Sequence, residues 1–346
     1  MKYRKLGNTD LNVSVICLGS MTWGEQNSEN EAHEQIEYAL SKGVNFVDTA
    51  EMYAVPPDPK TQGLTEKYIG SWFSKSKRRD EVILATKVIG PGQWANWIRD
   101  GKTRFNKKHI GMAIDSSLER LQTDYVDLYQ LHWPDRNSNE FGARQFVYKE
   151  EEEMTPIVET LGVIKDLLQS GKIRHYGLSN ETAWGVMTFL RLADEMNMPR
   201  PVSIQNNYNL LNRSYEIHLA EVSIRENIGL LSYFALACGI LTGKYLNGNR
   251  PEGARLTLTD RYFRYLTPEL DKIVSKYVEV AKKHNLNPAQ MALAFSNQQA
   301  FLTSTIIGAT KMNQLKFNIE SIDVELSDEV NQDIEKIHDQ HPNPRP

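Results

Sequence analysis

Short apolar, β-branched runs recur along the chain, each bounded by turn residues: Val15-Ile16-Cys17-Leu18, Asn45-Phe46-Val47, Val82-Ile83-Leu84-Ala85, Val126-Asp127-Leu128-Tyr129, Ile173-Arg174-His175-Tyr176, Val202-Ser203-Ile204, Leu230-Leu231-Ser232-Tyr233 and Ser304-Thr305-Ile306-Ile307. Runs of this length and composition predict eight strands. Helical stripes lie between them. Ala32, Ile36, Ala39 and Leu40 share one face; Ile110, Ala113, Ile114, Ser117, Leu118 and Leu121 form a second; Ile157, Leu161, Ile164 and Leu168 form a third. Gly43 and Gly171 stand where helix C-caps are expected, each just ahead of a strand.

Alternating strands and helices imply parallel strands joined by right-handed crossovers, and eight repeats favour an α/β fold of the (β/α)8 TIM barrel type over an open doubly wound sheet. Upstream, Tyr3-Arg4-Lys5-Leu6 and Leu11-Asn12-Val13-Ser14 flank Gly7-Asn8-Thr9-Asp10, which reads as an N-terminal β-hairpin closing the barrel floor. The expectation is one barrel domain over residues 1–346, a length that barrels reach through loop insertions. Four connections are long: residues 56–63 are proline-rich, 90–105 carry Trp94 and Trp97, 134–155 include Glu150-Glu151-Glu152-Glu153, and 239–268 form a fourth excursion. All four are expected after strand C-terminal ends, the face on which barrel enzymes build their sites. The four glutamates read as solvated surface, because four consecutive residues cannot point at one ion.

Composition narrows the function without choosing one. Hydrophobic residues at 40% and charged residues at 24% suit a folded chain with a sizeable core. A formal net charge of -4 supplies no basic field for polyphosphate, so nucleic acid is not an expected partner and any anion site must be local. The opening Met1-Lys2-Tyr3-Arg4-Lys5 precedes no apolar stretch, and no run is long enough to span a bilayer, so a cytoplasmic location with no membrane partner is the default. Cys17 and Cys238 match no metal or redox spacing and are expected to be reduced, packed thiols, with no metal site. The sequons Asn180-Glu181-Thr182 and Asn212-Arg213-Ser214 are then chance matches.

The chemistry concentrates at predicted strand ends. Asp48 follows the second run, Lys87 the third, His132 the fourth, Ser179 and Asn180 the fifth, and Gln205 the sixth. Taken singly, Asp48 could cap a turn, Lys87 could form a structural ion pair and His132 could be a hydrogen-bonded core histidine. On consecutive strands of one barrel they converge on one mouth. Carbonyl reduction suits such a set, because hydride delivery leaves negative charge on the carbonyl oxygen, where a proton donor and oriented hydrogen-bond donors lower the barrier. Tyr53, just beyond Asp48, is the candidate proton donor. A phenol titrates near about 10, and a neighbouring Lys87 ammonium is expected to pull that value toward working pH. Asp48 would pair Lys87, and His132, as a neutral donor, would orient the substrate oxygen.

The loop Ala237-Cys238-Gly239-Ile240-Leu241-Thr242-Gly243-Lys244, after the seventh strand, offers backbone amides, small residues and one cation, as a diphosphate requires. Gly90-Pro91-Gly92-Gln93-Trp94-Ala95 satisfies a dinucleotide-binding pattern, but Pro91 removes an amide and no amphipathic helix follows; a loop at the substrate mouth is the better reading. Trp23, Trp133, Trp94 and Phe234 are expected to surround that mouth, favouring aldehydes or ketones with apolar bodies.

Asp48-Thr49-Ala50-Glu51-Met52-Tyr53, Ala85-Thr86-Lys87, Gln130-Leu131-His132-Trp133-Pro134, Gly177-Leu178-Ser179-Asn180 and Leu241-Thr242-Gly243-Lys244-Tyr245 resemble the aldo-keto reductase superfamily, over a span from Leu18-Gly19 to Asn318-Ile319. Ala50-Glu51-Met52-Tyr53 and Asn206-Asn207-Tyr208-Asn209-Leu210-Leu211-Asn212-Arg213 are similar to the bacterial Tas-type branch, which also resembles potassium-channel β-subunits. The resemblance implies an NADP(H)-dependent oxidoreductase reducing aldehydes or ketones, with the nucleotide extended across the strand ends. Asp48, Ser179, Asn180 and Gln205 would hold the nicotinamide end, and Tyr233 would stack on its ring. Phe234, Ala235, Leu236, Ala237, Cys238, Gly239, Ile240, Leu241, Thr242, Gly243 and Lys244 would wrap the diphosphate. Gly308, Thr310, Gln314 and Asn318 would meet the adenosine. Thr22 and Trp23 would border the nicotinamide, and Trp23, Tyr53, His132 and Trp133 would line the substrate pocket.

Many family members carry a basic residue where Gln314 stands and Glu where Phe317 stands, which leaves NAD(H) as a second cofactor; Lys244, Arg255 or Lys311 would supply the missing charge. Three other functions compete with the reductase: a nicotinamide-sensing regulatory protein, a Schiff-base aldolase on Lys87, and a metal-dependent hydrolase, for which no His-x-His or carboxylate cluster is present. Homo-oligomer assembly is left open.

Overall fold

The computed structural model describes residues 1–139, 145–150 and 152–345. Strands β1 (Tyr3–Lys5) and β2 (Asn12–Ser14) form an antiparallel hairpin with Arg4 opposite Val13. Eight further strands, β3 (Ile16–Gly19), β4 (Phe46–Asp48), β5 (Ile83–Val88), β6 (Val126–Leu131), β7 (Ile173–Ser179), β8 (Ser203–Asn207), β9 (Gly229–Tyr233) and β10 (Leu302–Ile307), pair in parallel in chain order, and β10 returns to β3 to close the barrel. This is the (β/α)8 barrel that the alternation predicts, and each of the eight apolar runs overlaps one barrel strand.

Helices α1 (Glu29–Ser41), α2 (Leu64–Ser76), α3 (Lys107–Leu121), α4 (Ile157–Gln169), α5 (Ala183–Glu195) and α6 (Leu219–Arg225) follow β3 to β8 in turn. Between β9 and β10 lie α7 (Arg255–Leu258), α8 (Pro268–Lys283) and α9 (Pro288–Asn297); α10 (Met312–Glu320) follows β10, and α11 (Asp328–Gln340) packs on α8. Local chemistry sets the helix ends. Ser28 and Glu31 form a capping box at the start of α1, and Asn106 and Thr182 accept the first backbone amides of α3 and α5. Gly43 (φ 79°) and Gly171 (φ 73°) end α1 and α4 in left-handed turns, as their position ahead of a strand predicts.

Period-two alternation divides each strand between two environments. Outward residues such as Val47, Leu84, Tyr129, Tyr176 and Ile204 pack in the large core shared with the helices. Inward residues form a separate, smaller core at the barrel floor: Cys17, Phe46, Ala85, Leu128 and Leu231, with Leu6 and Val13 from the hairpin. The hairpin therefore plugs the floor with apolar side chains. Arg4 fastens it by donating to the carbonyls of Asn297 (2.7 Å), Gln299 (3.2 Å) and Leu302. Two residues further along the same inward rows the floor gives way to Asp48, Lys87 and Gln130, so the polar layer begins directly above the apolar one.

The long connections follow β4, β5, β6 and β9, on the face opposite the hairpin. The glycine pattern after β5 opens no α-helix; residues Gln93–Ala95 make a single short turn. In the acidic run Glu151 lies outside the described residues, Glu152 and Glu153 are exposed, and Glu153 pairs with Arg104. Among the described residues no three His, Cys, Asp or Glu side chains are grouped to hold a metal ion, and no helix is long and apolar enough to cross a membrane.

One close approach fixes the spacing of α2 and α3. A Cβ on Gly70 would stand 2.1 Å from the Arg120 carbonyl oxygen and 2.7 Å from the Leu121 carbonyl carbon. In an unhindered helix Gly→Ala stabilises by roughly 1 kcal/mol, whereas an overpacked atom against rigid backbone costs about 1–3 kcal/mol or more. The clash is with main chain, so it wins: Gly70→Ala should destabilise the fold by on the order of 2 kcal/mol in denaturant unfolding, whereas a gain in stability would show that the two helices separate freely.

Candidate active site

The mouth opposite the hairpin holds a cleft of about 1180 Å3, larger than a drug-sized pocket and able to take an extended ligand beside a small one. Its base is the polar layer. Asp48, last residue of β4, and Lys87, in β5, form an ion pair at 2.6 Å; Lys87 is fully buried and also donates to the Thr49 carbonyl at 2.8 Å. The second Asp48 oxygen, Oδ1, accepts from Gln130 Nε2 (3.1 Å) in β6 and Gln205 Nε2 (2.9 Å) in β8. Gln205 also donates to Gln130 Oε1 at 3.0 Å. Both oxygens of the carboxylate are thus hydrogen-bonded, the condition under which a buried charge is tolerated.

Tyr53 stands over this pair. Its hydroxyl is 3.5 Å from Lys87 Nζ, the ammonium lies 4.9 Å from the ring centroid, and the His132 ring meets it edge-on at 5.8 Å. Burial lifts the Tyr53 pKa above the ordinary phenol value, and the opposing pull of Lys87 does not overcome it. The expected downward shift is therefore reversed: burial outweighs an ammonium that is not in close contact, and the phenol keeps its proton. Burial also works against the Lys87 ammonium, but Asp48 and Tyr53 prevail and its pKa ends above the usual lysine value. His132 goes the other way. Burial, and then the Lys87 charge, hold it well below the usual histidine range, so the imidazole is neutral, and its Nδ1 has no hydrogen-bond partner.

The turn carrying Tyr53 is braced from beneath. Glu51, buried, receives two hydrogen bonds from Arg99 (2.6 and 2.8 Å) and one from the Ile89 amide (2.8 Å), tying the loop after β4 to loop 90–105. Trp133 donates to the Pro91 carbonyl at 3.0 Å and lies against Trp94 at 5.8 Å, so the two tryptophans form one wall of the mouth.

On the other side, β7 ends in Ser179 and Asn180, with Asn180 in a left-handed conformation (φ 53°). Asn180 donates to the His132 carbonyl at 2.8 Å and accepts from the Tyr233 hydroxyl at 2.5 Å. Phe234, Ala237, Cys238 and Gly239 all have positive φ, giving a tightly wound loop after β9. A Cβ on Gly239 (φ 89°) would meet Lys244 Cε and Nζ at 3.0 Å, so glycine leaves the space in which that ammonium sits. Burial and the nearby Arg255 guanidinium lower the Lys244 pKa. Neither cation meets a carboxylate among the described residues, an arrangement that lacks an anion.

Most of the residues singled out in the sequence meet in this one cleft: Thr22, Asp48, Tyr53, His132, Trp133, Ser179, Asn180, Gln205 and Tyr233 around its base, Phe234, Ala235, Leu236, Cys238, Gly239, Thr242, Lys244 and Arg255 along the next stretch, and Gly308, Thr310, Gln314 and Asn318 at the far end. Lys87 sits beneath rather than on the wall. Trp23 does not reach the opening: it is fully buried in the core beside α1 and donates from Nε1 to Gln35 at 3.1 Å, while the neighbouring Met21 lines the cleft instead. Ala237, Ile240 and Leu241 turn into the hydrophobic core, and Gly243 (φ 79°) closes the turn behind them; only alternate parts of this loop face the cleft.

Gln130, Met52, Val55 and Tyr262 were not foreseen. Gln130 was legible in principle, as a polar residue on the inward row of Leu128 and His132; the others lie on loops with no periodicity to read.

The comparisons agree with this geometry. The family model for the aldo/keto reductase family matches residues 15–339. The chain is 49% identical over 346 residues to the protein Tas of Escherichia coli (strain K12), covering 100% of both chains. It is 37% identical over 275 residues to an aldo-keto reductase of Babesia bovis, covering 75% of this chain and 96% of that one. It is 30% identical over 329 residues to a probable voltage-gated potassium channel subunit beta of Oryza sativa subsp. japonica, covering 94% of this chain and 92% of that one. The chain belongs to the aldo/keto reductase family of oxidoreductases.

Proposed function

We propose that this protein is a cytoplasmic, NADP(H)-dependent carbonyl reductase in which Tyr53 protonates the oxygen of an aldehyde or ketone. The observation that carries the reading is the protonated Tyr53 phenol, 3.5 Å from the fully buried Lys87 ammonium and edge-on to a neutral His132, at the floor of an open cleft. A reduced nicotinamide nucleotide, when bound, supplies the hydride. The substrate oxygen then carries growing negative charge, and the protein answers it from two directions. The neutral His132 ring contributes a hydrogen bond and holds the oxygen beside the phenol. Tyr53 gives up its proton, and the tyrosinate left behind is stabilised by Lys87, whose own charge Asp48 secures. A phenol that is protonated at rest and beside a cation once ionised suits this direction of proton transfer.

The residues present fit the nucleotide. Lys244 and Arg255, without carboxylate partners, suit its diphosphate, and Ser179, Asn180 and Gln205 offer amide and hydroxyl groups at the nicotinamide end. At the far end Lys311 stands at the N-cap of α10 and lines the cleft, taking the place of the basic residue absent at Gln314.

Three outcomes are expected. Tyr53→Phe should lower kcat for NADPH-dependent reduction of a reactive aldehyde by roughly 10²–10⁴-fold while NADPH affinity stays within a few-fold; retained turnover would refute the assignment, and tight nucleotide binding with no turnover of any carbonyl by the wild type would favour a sensor. The group needed is the protonated phenol, whose pKa is raised, so kcat/KM for reduction should hold through neutral and mildly alkaline pH and fall only above the ordinary phenol value of about 10. A fall centred near neutrality would contradict this. Lys311→Ala should weaken NADPH by roughly three- to tenfold more than NADH in paired binding titrations, the scale of one exposed charge contact.

A further inference from the structure

The cleft carries two guanidinium groups beyond the three cations assigned above to the nucleotide. Besides Lys244, Arg255 and Lys311, it is lined by Arg261 and Arg264, from the turns of Asp260–Tyr265. These turns bury Tyr262 and Tyr265, and Arg261 and Arg264, on either side of a kink at Tyr262, both line the cleft. Neither arginine pairs with a carboxylate among the described residues, and Arg264 Nε is buried with no hydrogen-bond partner. The carboxylates that line the cleft do not answer them. Asp48 is paired with Lys87, Glu181 with Arg136, and Glu252 makes no ion pair with either arginine.

Position ties Arg261 to the substrate side of the cleft, while Arg264 stands near Tyr233 and Cys238. The Arg261 guanidinium lies 6.0 Å from the Trp94 ring, Trp94 lies 5.8 Å from Trp133, and Trp133 lies 4.9 Å from His132. Arg261 therefore joins the segment after β9 to the tryptophan wall from loop 90–105, on the side where a carbonyl compound enters. Tyr262, between the arginines, packs edge-on to Phe234 at 5.7 Å and lines the same cleft as Tyr53.

We propose that Arg261 and Arg264 form an anion subsite that selects carbonyl substrates bearing a carboxylate or phosphate on an apolar or aromatic body. The proposal rests on the reductase reading above and names its substrate class. The tryptophan wall takes the body, His132 and Tyr53 take the carbonyl oxygen, and the guanidinium pair takes the remote charge through charge-assisted, fork-shaped hydrogen bonds. Binding energy gathered far from the reacting carbon also orients it.

The test compares 4-carboxybenzaldehyde with its neutral counterpart methyl 4-formylbenzoate, in the wild type, Arg261→Gln, Arg264→Gln and the double variant. The wild type should prefer the carboxylate by at least tenfold in kcat/KM, and the double variant should lose most of that ratio with NADPH affinity shifted less than threefold. A ratio near one in the wild type, or one unchanged by the substitutions, overturns the proposal. So does a loss of NADPH affinity beyond tenfold with the ratio intact, which would give the arginines to the nucleotide. Calorimetric binding of 4-(hydroxymethyl)benzoate and its methyl ester to the NADP+-loaded protein keeps the two readings apart. A carboxylate preference that vanishes in the double variant supports the subsite even if neither aldehyde is turned over, and no preference in a protein that turns both over removes the subsite and leaves the reductase.

Discussion

A buried ammonium is the constraint around which the barrel is arranged. Stripping Lys87 of water costs several kcal/mol, and the cost is offset only if its partners are close and themselves satisfied. Asp48 at 2.6 Å and the Thr49 carbonyl meet the ammonium, and Gln130 and Gln205 meet the other carboxylate oxygen. These side chains come from β4, β5, β6 and β8, so no pair of neighbouring strands can assemble the set; the strands from β4 to β8 must be in place together. Tyr53 and His132 then take their electrostatic character from their place above it. The same burial that keeps the phenol protonated keeps the imidazole neutral, because each group is held in its uncharged form by loss of water.

Loops give this centre its walls, and they are not loosely attached. The Glu51–Arg99 pair is buried on both sides and bidentate, and it links the turn bearing Tyr53 to the loop bearing Trp94. Removing either partner would leave an uncompensated charge in the interior, an asymmetry that makes such pairs effective at holding one geometry. The mouth therefore has a braced side, built by the loops after β4 and β5, and an opposite side built from the winding segment after β9. Ligands enter between them.

The sequence showed the barrel and its chemistry unequally. Strands were legible because each carries a short apolar run, and the candidate set at the mouth was legible because a polar residue at the end of such a run has little structural reason to be there. Parity explains most of what was missed within strands: Gln130 shares the inward row with Leu128 and His132, and reading rows instead of strand ends would have found it. Trp23 shows the opposite failure. Its place after the first strand suggested the mouth, but a tight turn at Ser20 to Asn27 swings the indole under α1, where Gln35 accepts its N–H. The direction of the Tyr53 pKa is not legible in the chain, because charge proximity follows from strand ends whereas burial depends on loops that carry no period. Arg261 and Arg264 were invisible for the same reason.

The hairpin plug has a consequence for how the chain is made. Arg4 reaches its carbonyl partner on Asn297 across 293 residues of sequence, and β3 pairs with β10, the last strand of the barrel. A ribosome adding about 5–20 residues per second needs roughly 15 to 60 s to deliver that far end. Throughout that interval β3 keeps an unpaired edge, and Leu6, Val13 and Cys17 lack part of the floor that later covers them. The hairpin and β3 are thus among the last elements to be secured, and the β3 edge stays open until the final barrel strand is made.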